Sequence, residues 1–309
     1  MRRVQLIEIH DQKWFPGFLR DAVTDTLRLM FGIGRVYHSV MPRFMGALRR
    51  SGSSRVLDLC SGGGGAWTNL RGVLDAEPQG APEVCLTDKY PNAAAFEKAK
   101  VRSKNKIDFL AQPVDATDIP AELGGFRTFF TAFHHFSPNQ ARAILNDAVA
   151  RNRGIAIFEA PGRSILPLLF ALLMPVVSFG LAPFLRPFTW SRMFWTYVIP
   201  VIPFVLCFDG LISCFRVYSP GELREFVEAI AADHYRWEIG EDATGIVPVP
   251  ITYLIGYPIH GEEIIAPTSA SPKWVVGSAP PGTLPAFSAV TAVRPALGAS
   301  ALRGVAREV

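Results

Sequence analysis

The chain has 309 residues, 49% of them apolar and 19% charged, with a formal net charge of +4; that length admits one large α/β domain with additions or two small ones, and the low charged fraction points to apolar surface beyond an ordinary core. Lys and Arg are scattered, which excludes a nucleic-acid footprint, and Cys60, Cys85, Cys207 and Cys214 have the spacing of neither a zinc site nor a disulfide framework. Charges interrupt Met1–His10 where a signal peptide needs an apolar core, so a cytoplasmic chain with free thiols and no metal is expected.

Trp14 to about Arg50 predicts two amphipathic helices split near Gly32 and Gly34, a helical extension over residues 1–50. The preceding Ile7–Pro16, dense in polar and aromatic residues, either closes over a ligand or packs on the sheet. His10 and Trp14 are its candidate substrate contacts. Residues 51–160 then alternate strand and helix. Val56, Leu57 and Leu59 read as a strand buried on both faces that breaks into Gly62–Gly65, with a helix from Ala66 to Leu74. Glu83–Asp88, Ile107–Leu110, Phe126–Phe133 and Gly154–Glu159 continue the strands, and Ser137 caps a helix beginning at Pro138. Alternation of this kind predicts a Rossmann-like, doubly wound, mostly parallel α/β sheet.

Residues 161–218 interrupt it. Ile165–Leu185 carries no charge and is long enough to span a bilayer, but Pro167, Pro175 and Pro183 within it favour an apolar helical cap or a membrane-dipping hairpin. Residues 219–260 resume the core: Ser219 caps a helix, and Tyr235–Ile239 and Ile251–Ile255 read as two closing strands. The composition of 261–309 predicts a disordered tail.

Asp58, Asp88 and Glu159 end strands and Asp115 follows one, so all four are expected at one crevice beyond the carboxyl ends of the sheet. Asp88 lies one βα unit past the glycine turn, where a carboxylate can accept from both hydroxyls of a ribose. A dinucleotide fingerprint counted from Gly62 meets Trp67 where its third glycine belongs, and no Gly-Lys-Ser or Gly-Lys-Thr is present; a nucleoside ligand without a diphosphate is implied.

Val56-Leu-Asp-Leu-Cys-Ser-Gly-Gly-Gly-Gly65 resembles the first motif of class I S-adenosylmethionine-dependent methyltransferases, in a variant with Cys60 for the first glycine; with the residues in register the resemblance covers Ser54–Glu159 and Ser219–Gly256. It implies S-adenosylmethionine as cofactor, held at the methionine end by Asp58, Cys60, Ser61, Gly62 and Gly64, at the ribose by Asp88 with Lys89 beside it, and at the adenine by Asp115 and Ala116. It also implies a seven-stranded sheet closed by an antiparallel strand pair. His134 and His135 follow the fourth strand, at the reactive end, as a general base or as positioning residues. The acceptor is expected to be small and hydrophobic or lipid-like, with O-methylation favoured. Trp195 and Tyr197, with Phe188, Trp190 and Phe194, line its pocket or anchor at a lipid headgroup layer; Asp209, Ser213, Arg216 and Tyr218 orient its polar head or fasten the insertion; Glu159 meets substrate or pairs with an arginine. The alternatives are a membrane-associated lipid or quinone C-methyltransferase, with peripheral membrane contact, and a regulatory protein that binds the cofactor without turnover.

Overall fold

The computed structural model describes residues 2–75, 81–230, 232–244, 249–259 and 274–278. Helices α1 (Gly17–Ile33) and α2 (Met41–Arg50) precede the sheet. The core then runs β1 (Arg55–Asp58), α3 (Gly65–Asp75), β2 (Glu83–Leu86), α4 (Ala93–Arg102), β3 (Ile107–Phe109), β4 (Phe126–Phe130), α5 (Pro138–Ala150) and β5 (Ile155–Glu159). A cap follows, made of α6 (Ile165–Leu181), the short α7 (Trp190–Met193) and α8 (Val201–Arg216), before α9 (Pro220–Glu228), β6 (Tyr235–Ala243), β7 (Pro250–Pro258) and β8 (Trp274–Ser278) complete the sheet.

The strands lie in the order β3-β2-β1-β4-β5-β7-β6-β8. β1 to β5 are parallel, and β7 enters antiparallel between β5 and β6. The order steps outward from β1 in both directions, so the turns after β1 and β4 flank a crevice at the topological switch point. β8 pairs in parallel with β6 at the edge, as an eighth strand. It lies inside the stretch expected to be a disordered tail, and a strand there corrects that expectation for Trp274–Ser278: its main chain completes hydrogen bonds on the otherwise open edge of β6. The rest of 260–309 is outside the described residues.

Both faces of the sheet are covered. On one, Phe44 of α2 meets Trp67, Phe126 and Phe158 edge to face with ring centroids 5.8, 5.4 and 6.2 Å away, the geometry that aromatic quadrupoles favour. On the other, Ile144, Leu145, Leu223 and Phe226 pack against Leu57, Phe129 and Ile157. Complete capping boxes, Ser137 with Gln140 and Ser219 with Glu222, start α5 and α9 where the sequence placed them.

The cap packs on α1 rather than on the sheet. α6 and α8 approach closely where a Cβ at Gly210 would lie 3.4 Å from that of Ala171. The stretch Ile165–Phe184 has a mean hydropathy of 2.4, yet only 28% of it is buried, and Leu169, Leu172, Leu173 and Val176 face outward. Trp190–Val198 and α8 meet at a 70° bend.

Candidate active site

The glycine turn is built by local necessity. Gly62 and Gly64 adopt φ of +54° and +69°, a region that a Cβ disfavours. Gly64 faces the core, where an added Cβ would lie 3.1 Å from Leu86 Cδ1; Gly62, Gly63 and Gly65 face a cleft of about 350 Å³. Asp58, fully buried at the end of β1, holds this turn from beneath: Thr128 donates to its Oδ1 (2.6 Å) and Ser61 to its Oδ2 (2.6 Å). Both oxygens accept these bonds, so Asp58 shapes the turn, and it borders the cleft together with Ser61. Burial pushes the Cys60 thiol, at φ +57°, well above its ordinary value, which keeps it protonated.

Burial also raises Asp58 to about 6, despite the hydrogen bonds from Ser61 and Thr128. A carboxyl that holds its proton more tightly when folded loses stabilisation as pH rises from the unfolded value of 3.8 to about 6. Wild type should therefore lose about 3 kcal/mol relative to Asp58→Asn across that window and nothing further above it. Urea midpoints of the pair at pH 4, 5, 6 and 7 measure this, and a pH-independent difference would contradict it.

Asp88 stands across the turn. Its Oδ2 accepts from Gly62 N–H and its Oδ1 from Tyr90 N–H, each at 2.8 Å, which fixes the carboxylate and leaves a second lone pair on each oxygen toward the cleft. Lys89 borders the cleft with its ammonium 2.7 Å from Asp115 Oδ2. Asp115 itself is used up by Lys89 and Thr117; partial burial would raise its carboxyl, but these bonds bring it down to about 2. Ala116 is buried in the core behind it. Neither Asp115 nor Ala116 borders the cleft, in contrast to the expected adenine contact. Tyr90 and Asn92, unanticipated from the sequence, border it instead, and α1 closes it from above with Arg20, Thr24 and Arg28.

A second cavity, of about 130 Å³, lies between α1, α6 and α8. Its walls are Val23, Leu27, Met30, Phe170, Met174 and Leu206, with Glu8, His134, Asp209 and Ser213 as polar points. The cap aromatics expected to line it do not. Trp190 is 80% exposed, Tyr197 donates from the surface to Phe179 O, and Trp195 packs beside Phe18. α6 and α8 meet through Ala171 and Gly210, while on the segment between them Trp190 and Tyr197 are exposed and Trp195 packs against the cluster formed by α1 and the cap. Trp14, 72% exposed, is likewise off both cavities.

The two cavities share His10, Leu27, Phe31, Thr131 and His135. Thr131 marks the junction with a φ of 51°, a strained conformation for a β-branched residue. It is held there by bonds from its N–H to Phe158 O (2.7 Å), between its hydroxyl and Tyr37 Oη (2.7 Å), and from Ala160 N–H (3.2 Å). The bend turns β4 into the short helical turn Phe133–His135, so that the two histidines cross the mouth. Glu159 is buried under that turn: its Oε1 accepts from Phe133 and His134 N–H and its Oε2 lies 2.6 Å from His134 Nδ1. Glu159 therefore pairs with a histidine and the main chain, not with substrate or an arginine, and His134 is clamped by it. His135 borders both cavities, its Nδ1 2.7 Å from Asp11 Oδ2. Burial alone would lower His135, but Glu8 and Asp11 outweigh it and hold the imidazole up at about 9; in return His135 keeps Asp11 well below the usual carboxylate range against its burial.

The N-terminal segment is strapped over this mouth. Asp209 of α8 accepts from Ile9 N–H (2.7 Å) and His10 N–H (3.0 Å) and sits 2.7 Å from His10 Nδ1. Arg216 is buried, donating to His134 O and His135 O and reaching Glu8 and Asp11 at 3.3 Å. Tyr218 donates to Phe136 O, with the Arg3 guanidinium over its ring at 4.0 Å. Of the two readings for this polar island, fastening describes Arg216 and Tyr218. Glu8 and Asp11 were missed in the sequence, although two acids flanking Ile9-His10 in an otherwise apolar and aromatic stretch were a visible signal.

A switch-point crevice, a glycine turn after β1, an acid just past the next strand and one antiparallel strand, β7, inserted between β5 and β6 together describe the architecture. The fold is a Rossmann-like, doubly wound α/β sheet with one antiparallel strand, the architecture that the resemblance to class I S-adenosylmethionine-dependent methyltransferases implies. The chain matches no protein-family model and no curated protein by sequence. Among solved structures it is similar to an O-methyltransferase family protein from Burkholderia thailandensis, at 17% identity and TM-score 0.41, over 76% of this chain and 60% of that one. It is similar to an O-methyltransferase family 2 protein from Planctomyces limnophilus in complex with apigenin, at 14% identity and TM-score 0.44, over 78% and 62%. It is also similar to the plantazolicin methyltransferase BamL in complex with a triazolic desmethyl analog and SAH, at 11% identity and TM-score 0.41, over 78% and 98%. The chain thus spans less than two thirds of the length of the first two, and the site is read from its own geometry.

Proposed function

We propose that this chain is an S-adenosylmethionine-dependent methyltransferase acting on a hydroxyl group of a small acceptor with an apolar body. The observation that carries the reading is the meeting of a polar, glycine-walled cleft and an aliphatic cavity at His10, Thr131 and His135. The cleft fits the cofactor in two respects: main chain exposed at Gly62, Gly63 and Gly65, and a fixed carboxylate at Asp88 for the ribose. When bound, S-adenosylmethionine supplies an already activated methyl group, so the protein's task is alignment. The aliphatic walls hold the acceptor body and exclude water, and the polar junction orients its hydroxyl. His135 stands at the junction; His134, clamped by Glu159, is a positioning residue.

The outward apolar face of the cap favours a second, compatible reading, in which the acceptor is lipid-like and is drawn from a membrane. Trp190, Phe188 and Tyr197 suit a headgroup layer, and Leu169, Leu172 and Leu173 suit the acyl region.

Both readings are tested by methyl transfer from radiolabelled S-adenosylmethionine to a panel of apolar alcohols and phenols, offered free and in lipid vesicles. Wild type is expected to label at least one class, faster from vesicles if the membrane reading holds. Ala171→Trp, which fills the aliphatic cavity, should lower transfer about 100-fold with S-adenosylhomocysteine affinity unchanged. Binding without any transfer would favour a regulatory protein, and undiminished transfer by Ala171→Trp would place the acceptor elsewhere.

A further inference from the structure

Four side chains at the junction, Glu8, His10, Asp11 and His135, offer ligand atoms that all lie within 4.8 Å of one another. Three of them share the segment Glu8–Asp11 and the fourth, His135, lies 124 residues beyond Asp11, and the sequence led us to expect no metal. We infer that they form a binding site for a divalent first-row transition ion at the mouth between the two cavities.

The strongest support is Glu8. Its side chain is fully buried, and while its Oε1 accepts from Ser213 Oγ (3.1 Å) and lies 3.3 Å from Arg216 Nη1, its Oε2 is buried with no hydrogen bond. A carboxylate oxygen removed from water without a donor is costly, and a cation is the partner that satisfies it. This oxygen faces the cluster, 3.4 Å from His135 Nδ1 and 3.9 Å from His10 Nδ1.

His10 supplies an independent argument. Its Nδ1 lies 2.7 Å from Asp209 Oδ2, on a carboxylate already oriented by the Ile9 and His10 amides. A proton on Nδ1 completes that bond and leaves a bare lone pair on Nε2, which is 3.8 Å from Asp11 Oδ1. A cation between the two would satisfy both, in competition with a proton on Nε2. A carboxylate behind the non-ligating nitrogen is also the usual way in which a protein orients a metal-binding imidazole.

The separations suit an ion. With metal–ligand bonds of roughly 2.1 Å, neighbouring ligand atoms lie roughly 3.0–3.5 Å apart, so the 3.4 Å between Glu8 Oε2 and His135 Nδ1 and the 3.8 Å between His10 Nε2 and Asp11 Oδ1 contract slightly around a centre. Asp11 is the adjustable member: its side chain is one-third exposed, and it exchanges its contact with His135 for the ion by rotation. Two imidazole nitrogens with two carboxylate oxygens favour Mn2+, Fe2+, Co2+ or Zn2+ over Ca2+ or Mg2+. Arg216, beside Glu8 and Asp11, offsets part of the negative charge, which leaves the cluster balanced for a divalent rather than a trivalent ion.

The role of the ion rests on the functional reading above, whereas its binding does not. Held at the junction, it coordinates the acceptor oxygen and acidifies its O–H, a recognised use of bound metal. The O–H proton leaves to solvent through the cleft; over the reaction one O–H and one S–C bond break and one O–C bond forms.

The test uses the full chain. After chelation and dialysis, Co2+ titration followed by its visible absorption and by calorimetry should show one ion per chain with nitrogen and oxygen ligation. Glu8→Gln, of nearly equal shape, and Asp11→Asn, at a one-third-exposed position, should each weaken Co2+ about tenfold or more, with circular dichroism unchanged. Absence of stoichiometric binding by wild type, or equal binding by both folded variants, would overturn the site. Failure of S-adenosylhomocysteine to bind would overturn the methyltransferase reading while leaving the ion site standing.

Discussion

Asp88→Ala is expected to weaken S-adenosylmethionine binding by about 100-fold or more. A carboxylate that accepts from both ribose hydroxyls contributes about 1.5–3 kcal/mol per bond, and about 1.4 kcal/mol is tenfold in affinity. The structure adds a second reason. Asp88 also holds Gly62 N–H and Tyr90 N–H at 2.8 Å, so its removal loosens the turn that the cofactor lies on. Asp88→Asn keeps one acceptor oxygen and should fall between the two. Calorimetry with S-adenosylhomocysteine, alongside circular dichroism to verify the fold, measures the effect; unchanged affinity in a folded Asp88→Ala protein would remove the ribose role and with it the main support for the cofactor.

The second large effect is expected at Asp209, far from the cleft in sequence. Asp209→Ala leaves Ile9 N–H, His10 N–H and the His10 ring without their shared acceptor, in a place from which water is largely excluded. Stripping one partner from a buried charged network costs about 3–5 kcal/mol. The strap is a short segment on a large sheet, so the loss should appear as local release rather than global unfolding. Hydrogen exchange of peptides covering Leu6–Phe15 should rise by orders of magnitude while β1, β4 and β5 stay protected. Methyl transfer should fall with it, because Glu8, His10 and Asp11 leave the junction together. Unchanged protection of that peptide would show that Arg216 and Arg20, whose guanidinium donates to His10 O and Gln12 O, suffice to hold the strap.

Much of the core was legible because its signals are local. Val56–Leu59 followed by Gly62–Gly65 can only be a buried strand entering a turn of unusual backbone, and Ser137 and Ser219 before proline mark α5 and α9. The sequence reading of two closing strands near Tyr235 and Ile251 found β6 and β7, because alternating aromatic and β-branched residues carry their own period. Asp88 was reachable through the length of one βα unit.

The site's second half was not legible. Asp115 follows β3 in a loop and Glu159 ends β5, as expected, but whether such an acid faces ligand depends on its partners. Lys89 takes the first and the turn at His134 takes the second. The cap's rings read equally as pocket lining or as anchors at a headgroup layer, and only the folded chain exposes Trp190 and Tyr197 while packing Trp195 beside Phe18. Composition determines the strands, the glycine corner and the apolar character of the cap, since these follow from backbone preference and periodicity along a few neighbouring residues. Only the tertiary structure decides that Glu8, His10 and Asp11 meet His135, because what brings them together is the hydrogen bonding of Asp209 and Arg216, about 200 residues further along the chain.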